Sequence, residues 1–139
     1  MEEDLTHRLM TDMEPELLEF VHQYVDSFVK WDVLLFFSKN PHIVDTAENV
    51  AGQVRRATEV VASELSDLAA RGILQEMQMG ETMVYGLIPN AALQTQLLRF
   101  IQATEDRRLR VKIIFHVIRG MNDQDGYNDD GAEGFVPFE

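Results

Sequence analysis

A chain of 139 residues with 45% apolar side chains is long enough to bury one hydrophobic core. It holds no cysteine, which excludes disulfides, thiolate metal sites and a cysteine nucleophile. The formal charge of −12 sits at the two ends: the first twenty residues carry seven acids and one base, the last nineteen six acids and no base, and the middle is balanced.

Met1–Met13 is polar, acidic and weakly periodic, and reads as an arm, with the folded part spanning 14–120. Its opening Glu2-Glu3-Asp4 has the wrong sign for a secretory leader. The longest apolar run, Val33–Phe37, is far too short for a bilayer, so a soluble, cytoplasmic protein with no membrane contact is expected. Pro15 suits a first helical turn. From Leu17 to Phe28 the apolar residues keep one helical stripe, and beyond Trp31 they cover nearly the whole circumference, which demands enclosure. The spacing predicts one helix, or two with a bend near Val29–Trp31, stopped by Asn40-Pro41.

The stretch from Asp45 to Pro89 carries the most local signals. Asp45 or Thr46 can cap a helix, Glu48 stands three residues after Asp45 as in a capping box, and Val50, Ala51 and Val54 give the apolar face. A break at Arg55-Arg56-Ala57 precedes a second helix with Val61, Leu65 and Leu68 on one side, widened by Val60 and Ala69. Gly72 closes that helix, Ile73-Leu74 starts a strand, and Gly80-Glu81 offers a two-residue hairpin turn before Thr82–Leu87 returns and Pro89 ends it. Asn90 can cap a further helix bearing Leu93, Leu97, Leu98 and Ile101. Gln102–Arg108 is polar throughout, so that helix either bends there or runs exposed. A last apolar block follows from Leu109 to Ile118, ending at Gly120, and its β-branched residues suit helix or strand. Residues 121–139 read as an acidic, flexible tail, with disorder the default for Asn122–Gly134. The apolar Phe135-Val136-Pro137-Phe138 after it is either a loose end or a short plug for this or a neighbouring subunit.

The residues TAENVAGQVRRATEVVASELSDLAARGIL resemble the winged helix-turn-helix of bacterial transcription regulators of the MarR-like and ArsR-like groups. The resemblance is close over the middle third of the chain and extends to the flanks in outline. It implies a mainly α fold with a small β-hairpin wing and flanking N- and C-terminal helices, a helical last block, and a two-fold homodimer made by those flanks. It also implies that the second helix of the unit enters the major groove of duplex DNA while the wing reaches phosphate. Carried onto this sequence, the DNA-facing candidates are Thr58, Glu59, Ser63, Ser66 and Asp67, with Ala62 and Glu64 beside them and Arg55 and Arg56 at phosphate.

Charge weighs against that function. Glu59, Glu64 and Asp67 would face a polyanion, Glu76 and Glu81 leave the wing with acids and no base, and phosphate neutralisation dominates non-specific binding. The alternative is a protein-interaction module on the same scaffold, docking through the Met77, Met79 and Met83 thioethers of the wing and the acidic outer face of the second helix. Arg99, Arg107, Arg108, Arg110, Lys112 and Arg119 form a separate basic group, read as pairing with nearby acids rather than as a DNA contact. His7, His22, His42 and His116 show no metal-binding spacing, Asp123–Gly126 fails as a calcium loop because Met121 and Ala132 fall where carboxylates are needed, and no phosphate loop or nucleophile motif occurs. No enzyme activity, metal or cofactor is expected.

Overall fold

A computed structural model describes residues 13–129, with side chains as far as residue 123. The arm at 1–12 and the Phe135–Phe138 stretch lie outside the described residues. Among the described residues, six helices and a small antiparallel sheet follow one another as α1 (Pro15–Tyr24), α2 (Phe28–Lys39), β1 (Asp45–Thr46), α3 (Ala47–Val54), α4 (Thr58–Ala70), β2 (Leu74–Met79), β3 (Thr82–Leu87), α5 (Ala91–Thr104) and α6 (Arg107–Asp129). No helix among the described residues is long and apolar enough to cross a membrane.

Pro15 opens α1 as its position predicts, and Phe20, Val21 and Tyr24 are buried. The break expected near Val29–Trp31 comes earlier, at Val25–Ser27. Ser27 takes extended backbone angles and its hydroxyl accepts from the Lys30 amide at 3.1 Å, so a new helix is capped and started there. The chain that follows is apolar on all sides because α2 is enclosed by α3, α4 and α5, with Val33, Leu34 and Phe37 wholly buried. Phe100 of α5 completes this centre, its ring 5.4 Å from Phe20 and 5.6 Å from Trp31.

Thr46, not Asp45, caps α3, accepting from the Asn49 amide at 3.1 Å. Asn49 therefore occupies the position a capping box would give to Glu48, and its side chain donates to Asp45 at 2.8 Å. Asp45 and Thr46 themselves pair with Tyr85 and Val84, adding a third strand to the expected hairpin in the order β1-β3-β2. Two residues are too few to show an alternating pattern, which is why this strand leaves no mark in the sequence. Met79 pairs directly with Thr82 across Gly80-Glu81, and Gly80 has φ 67. No described non-glycine residue except Arg55 has positive φ, so Glu81 does not, and the turn has the Gly-first geometry that suits twisted strands.

Asn90 caps α5 by accepting from the Leu93 amide at 2.9 Å. The polar stretch after it is a sharp corner: Asp106 accepts from the amides of Arg108 and Leu109 and starts α6. The last apolar block is helical despite its β-branched residues, because Ile113, His116 and Val117 form one face that packs against α1. The helix does not stop at Gly120 but continues to Asp129, through eight residues read from sequence as disordered. Gly120 is a contact point rather than a terminator. A Cβ there would lie 3.3 Å from the Asp26 side chain, and a single helical glycine costs only about 1 kcal/mol.

Phe100 and Leu98 separate core from surface on the same helix. Phe100→Ala is expected to lower the unfolding free energy by about 3–5 kcal/mol, whereas Leu98→Ala, at a side chain 50% exposed, changes it by about 1 kcal/mol or less. Urea unfolding with an unchanged slope measures both.

Candidate functional site

The outer side of α4 is a helix face with three separate strips. Val61, Leu65 and Leu68 point into the core with no exposure, as their spacing predicts. Opposite them, Glu59, Ser63 and Ser66 are exposed along one line, with Thr58 exposed at the start and Ala62 half-buried beside it. The third strip, Glu64, Asp67 and Arg71, turns back toward the corner between α1 and α2. Val60 does not widen the core stripe. It lies one turn before Glu64 on this third strip and is 44% exposed.

That corner holds the most concentrated charge in the described fold. Lys30 is 2% exposed, and its Nζ lies 2.8 Å from Asp26, 2.7 Å from Glu64 and 2.7 Å from Asp67. Arg71 bridges Asp26 at 2.8 Å and Asp67 at 2.9 Å, and also donates to the Gln23 carbonyl at 2.8 Å. Ser27 donates to Glu64 at 3.3 Å. Burial alone pushes the Asp26 and Asp67 carboxyls up, but hydrogen bonds and charge from Lys30 and Arg71 outweigh it and hold both below the ordinary value of 3.8. Burial likewise opposes the Lys30 ammonium, yet its three carboxylate partners raise it above 10.5.

These contacts engage two acids of α4. Asp67, read from sequence as a DNA-facing position, and Glu64 beside it are occupied with Lys30, leaving Glu59 as the one acid on the outer line of α4. Asp67 keeps partial exposure, but its carboxylate is shared between two cations. The pattern is hard to see in sequence because acids three residues apart on a helix look like a solvated face. The usable signal lies elsewhere: Lys30 is the only Lys or Arg between residues 21 and 38, set among apolar neighbours four residues after Asp26.

At the other end of α4, Ala57 has no side chain able to cap, so no side chain satisfies the first-turn amides. Arg55 stands beside them in the left-handed region (φ 61, ψ 49), closing α3 where glycine is usual. Arg55 is exposed and has no ion pair among the described residues. Arg56 differs, since its Nε donates to Asp32 of α2 at 2.7 Å.

Strand alternation divides the three methionines. Met77 and Met79 share one face of the hairpin with Val84, and Met83 lies on the other with Gln78. Met79 is 62% exposed and Met83 38%, so the two thioethers do not form one surface. Tyr85 donates to Glu76 across the strands at 2.8 Å; burial, then the Glu76 carboxylate, push its hydroxyl up to about 12.

Two further features give no sequence signal. His22 Nε2 and His116 Nδ1 lie 3.2 Å apart across α1 and α6, joining residues 94 positions apart. A cavity of about 410 Å³ lies between α1 and α5, floored by Leu17, Phe20 and Ala103 and rimmed by Glu16, Arg99 and Asp106. Among the described residues no group of three or more His, Asp or Glu side chains is placed to hold a metal. No protein-family model, curated protein or solved structure matches this chain.

Lys30→Met tests the charged corner. Removing one partner from such a cluster leaves crowded carboxylates and is expected to cost about 3–5 kcal/mol near neutral pH. The lowered carboxyls contribute stability that is present above pH 3.8 and lost as pH falls below it. The raised ammonium contributes stability that is present below pH 10.5 and lost above it. In Lys30→Met the alkaline loss from this group disappears, and the deficit narrows toward pH 4 as the carboxylates protonate. Urea midpoints across pH read both limbs.

Proposed function

We propose that this chain is a winged helix-turn-helix protein that binds duplex DNA weakly through the outer face of α4. The succession β1–α3–α4–β2–β3, with β1 on the edge of a hairpin that follows the second helix, supports that reading of the fold. The observation that carries the function is at the start of α4. Uncapped amides with the positive end of the helix dipole, an exposed Arg55 held in a strained conformation, and exposed Thr58 form a site suited to phosphate. Ser63 and Ser66 continue the face as small hydrogen-bonding groups of the kind that reach base edges.

Pairing of Glu64 with Lys30, and of Asp67 with Lys30 and Arg71, weakens the electrostatic objection on α4 itself. What remains is a short supply of bases, so affinity is modest. A second reading, protein docking through the hairpin, is favoured by the 62% exposure of Met79 and by the lack of any Lys or Arg between residues 74 and 87.

Fluorescence anisotropy with a mixed-sequence duplex separates the two. Two or three phosphate contacts predict that log K falls with log salt at a slope of about −2 to −3. Arg55→Gly relieves the left-handed strain, about 1 kcal/mol, and so raises the urea midpoint while weakening DNA binding roughly tenfold and reducing the slope by about one. No binding at the lowest salt would leave the docking reading in place.

A further inference from the structure

Helix α6 is apolar on two opposite sides, and only one of them is fully buried among the described residues. Ile113, His116 and Val117 are buried against the rest of the domain. On the far side, helical spacing puts Val111, Ile114, Phe115 and Ile118 in one stripe. Val111 is 53% exposed and Ile118 43%, with Ile114 and Phe115 half-buried between them. Arg108 and Arg119 border this stripe on one side and Arg110 on the other, all exposed. A contiguous apolar strip rimmed by bases is a surface that calls for an apolar, acidic cover.

Such a segment follows on the same chain. Residues 129–139 read DDGAEGFVPFE, with Phe135, Val136 and Phe138 set among Asp130, Glu133 and Glu139 and with no base. We propose that this segment turns back along α6 of its own chain, laying Phe135 and Phe138 on the Val111–Ile118 stripe with its acids beside the flanking arginines.

The reach allows it. Asp129 to Ile118 is eleven helical residues, about 16 Å, and the six residues from Asp130 to Phe135 extend to about 20 Å. Asp129 to Ile114 is about 22 Å, against about 30 Å for the nine residues ending at Phe138. Gly131 can make the reversal without side-chain cost. Charge favours the pairing: residues 130–139 carry three acids and no base, and residues 107–119 of α6 carry five bases and no acid. The two-fold dimer expected from the sequence would compete for this same stripe.

The absence of native cysteine makes a disulfide test clean. The full chain carrying Asn122→Cys and Gly134→Cys, both outside the proposed apolar contacts, is oxidised mildly, and its crosslink is mapped on non-reducing gels and by peptide mass. The expected result is a disulfide within one chain, whose rate falls about tenfold when Phe135→Ser and Phe138→Ser are added and again when Ile118→Ser replaces them, because docking raises the effective concentration above that of a free tether. Circular dichroism of each variant shows that the helices are kept. Equal rates in all three backgrounds, or crosslinks between copies, overturn the proposal.

Discussion

One ammonium group sets the position of α4. Lys30 lies in a part of the fold where a charge is costly to bury, and it is tolerated there because three carboxylates from two directions surround it. Asp26 comes from the corner between α1 and α2, and Glu64 and Asp67 come from α4. Arg71 repeats the connection one turn further on. Clusters of this kind add little net stability over a well-packed apolar replacement, but they allow few alternative arrangements. Here the arrangement fixes the rotation of α4 about its own axis, so Val61, Leu65 and Leu68 face inward and Glu59, Ser63 and Ser66 face out. The function we propose depends on that rotation.

The same cluster changes the electrostatics of the displayed face. Counted along the sequence, α4 offers a polyanion three acids. In the fold two of them are bound to Lys30, and the positive helix end with Arg55 adjoins the remaining line. Arg55 itself occupies a conformation that glycine would adopt more easily, and a non-glycine residue kept there exchanges stability for a side chain at that point. The hairpin is different. Its acids stay, its methionines divide between two faces, and it adds contact area without positive charge.

Much of this architecture is legible in the amino-acid sequence. The Val61/Leu65/Leu68 stripe, the break at Arg55–Ala57, the turn at Gly80-Glu81 and the cap at Asn90 are local features, each set by a few adjacent residues, and each appears where its pattern predicts. The departures are of another kind. The break before α2 shifts because Ser27 caps and Asp26 is needed by Lys30. β1 is too short for any periodicity. Gly120 looks like a stop until the approach of Asp26 gives it a packing role. The Lys30 cluster and the His22–His116 pair join residues far apart in the chain, and no spacing rule reports such contacts. Local chemistry is readable from neighbouring residues, and long-range pairing of polar groups is not.

The central claim is that the start and outer line of α4 form the contact face. The most direct measurement is a titration of unlabelled duplex DNA into ¹⁵N-labelled full-length chain at low salt, followed by backbone amide shifts. Shifts concentrated from Arg55 to Ser66, and lost on raising the salt, are the predicted result. Shifts centred on the arginines of α6 would contradict the account, and so would a spectrum unchanged by DNA.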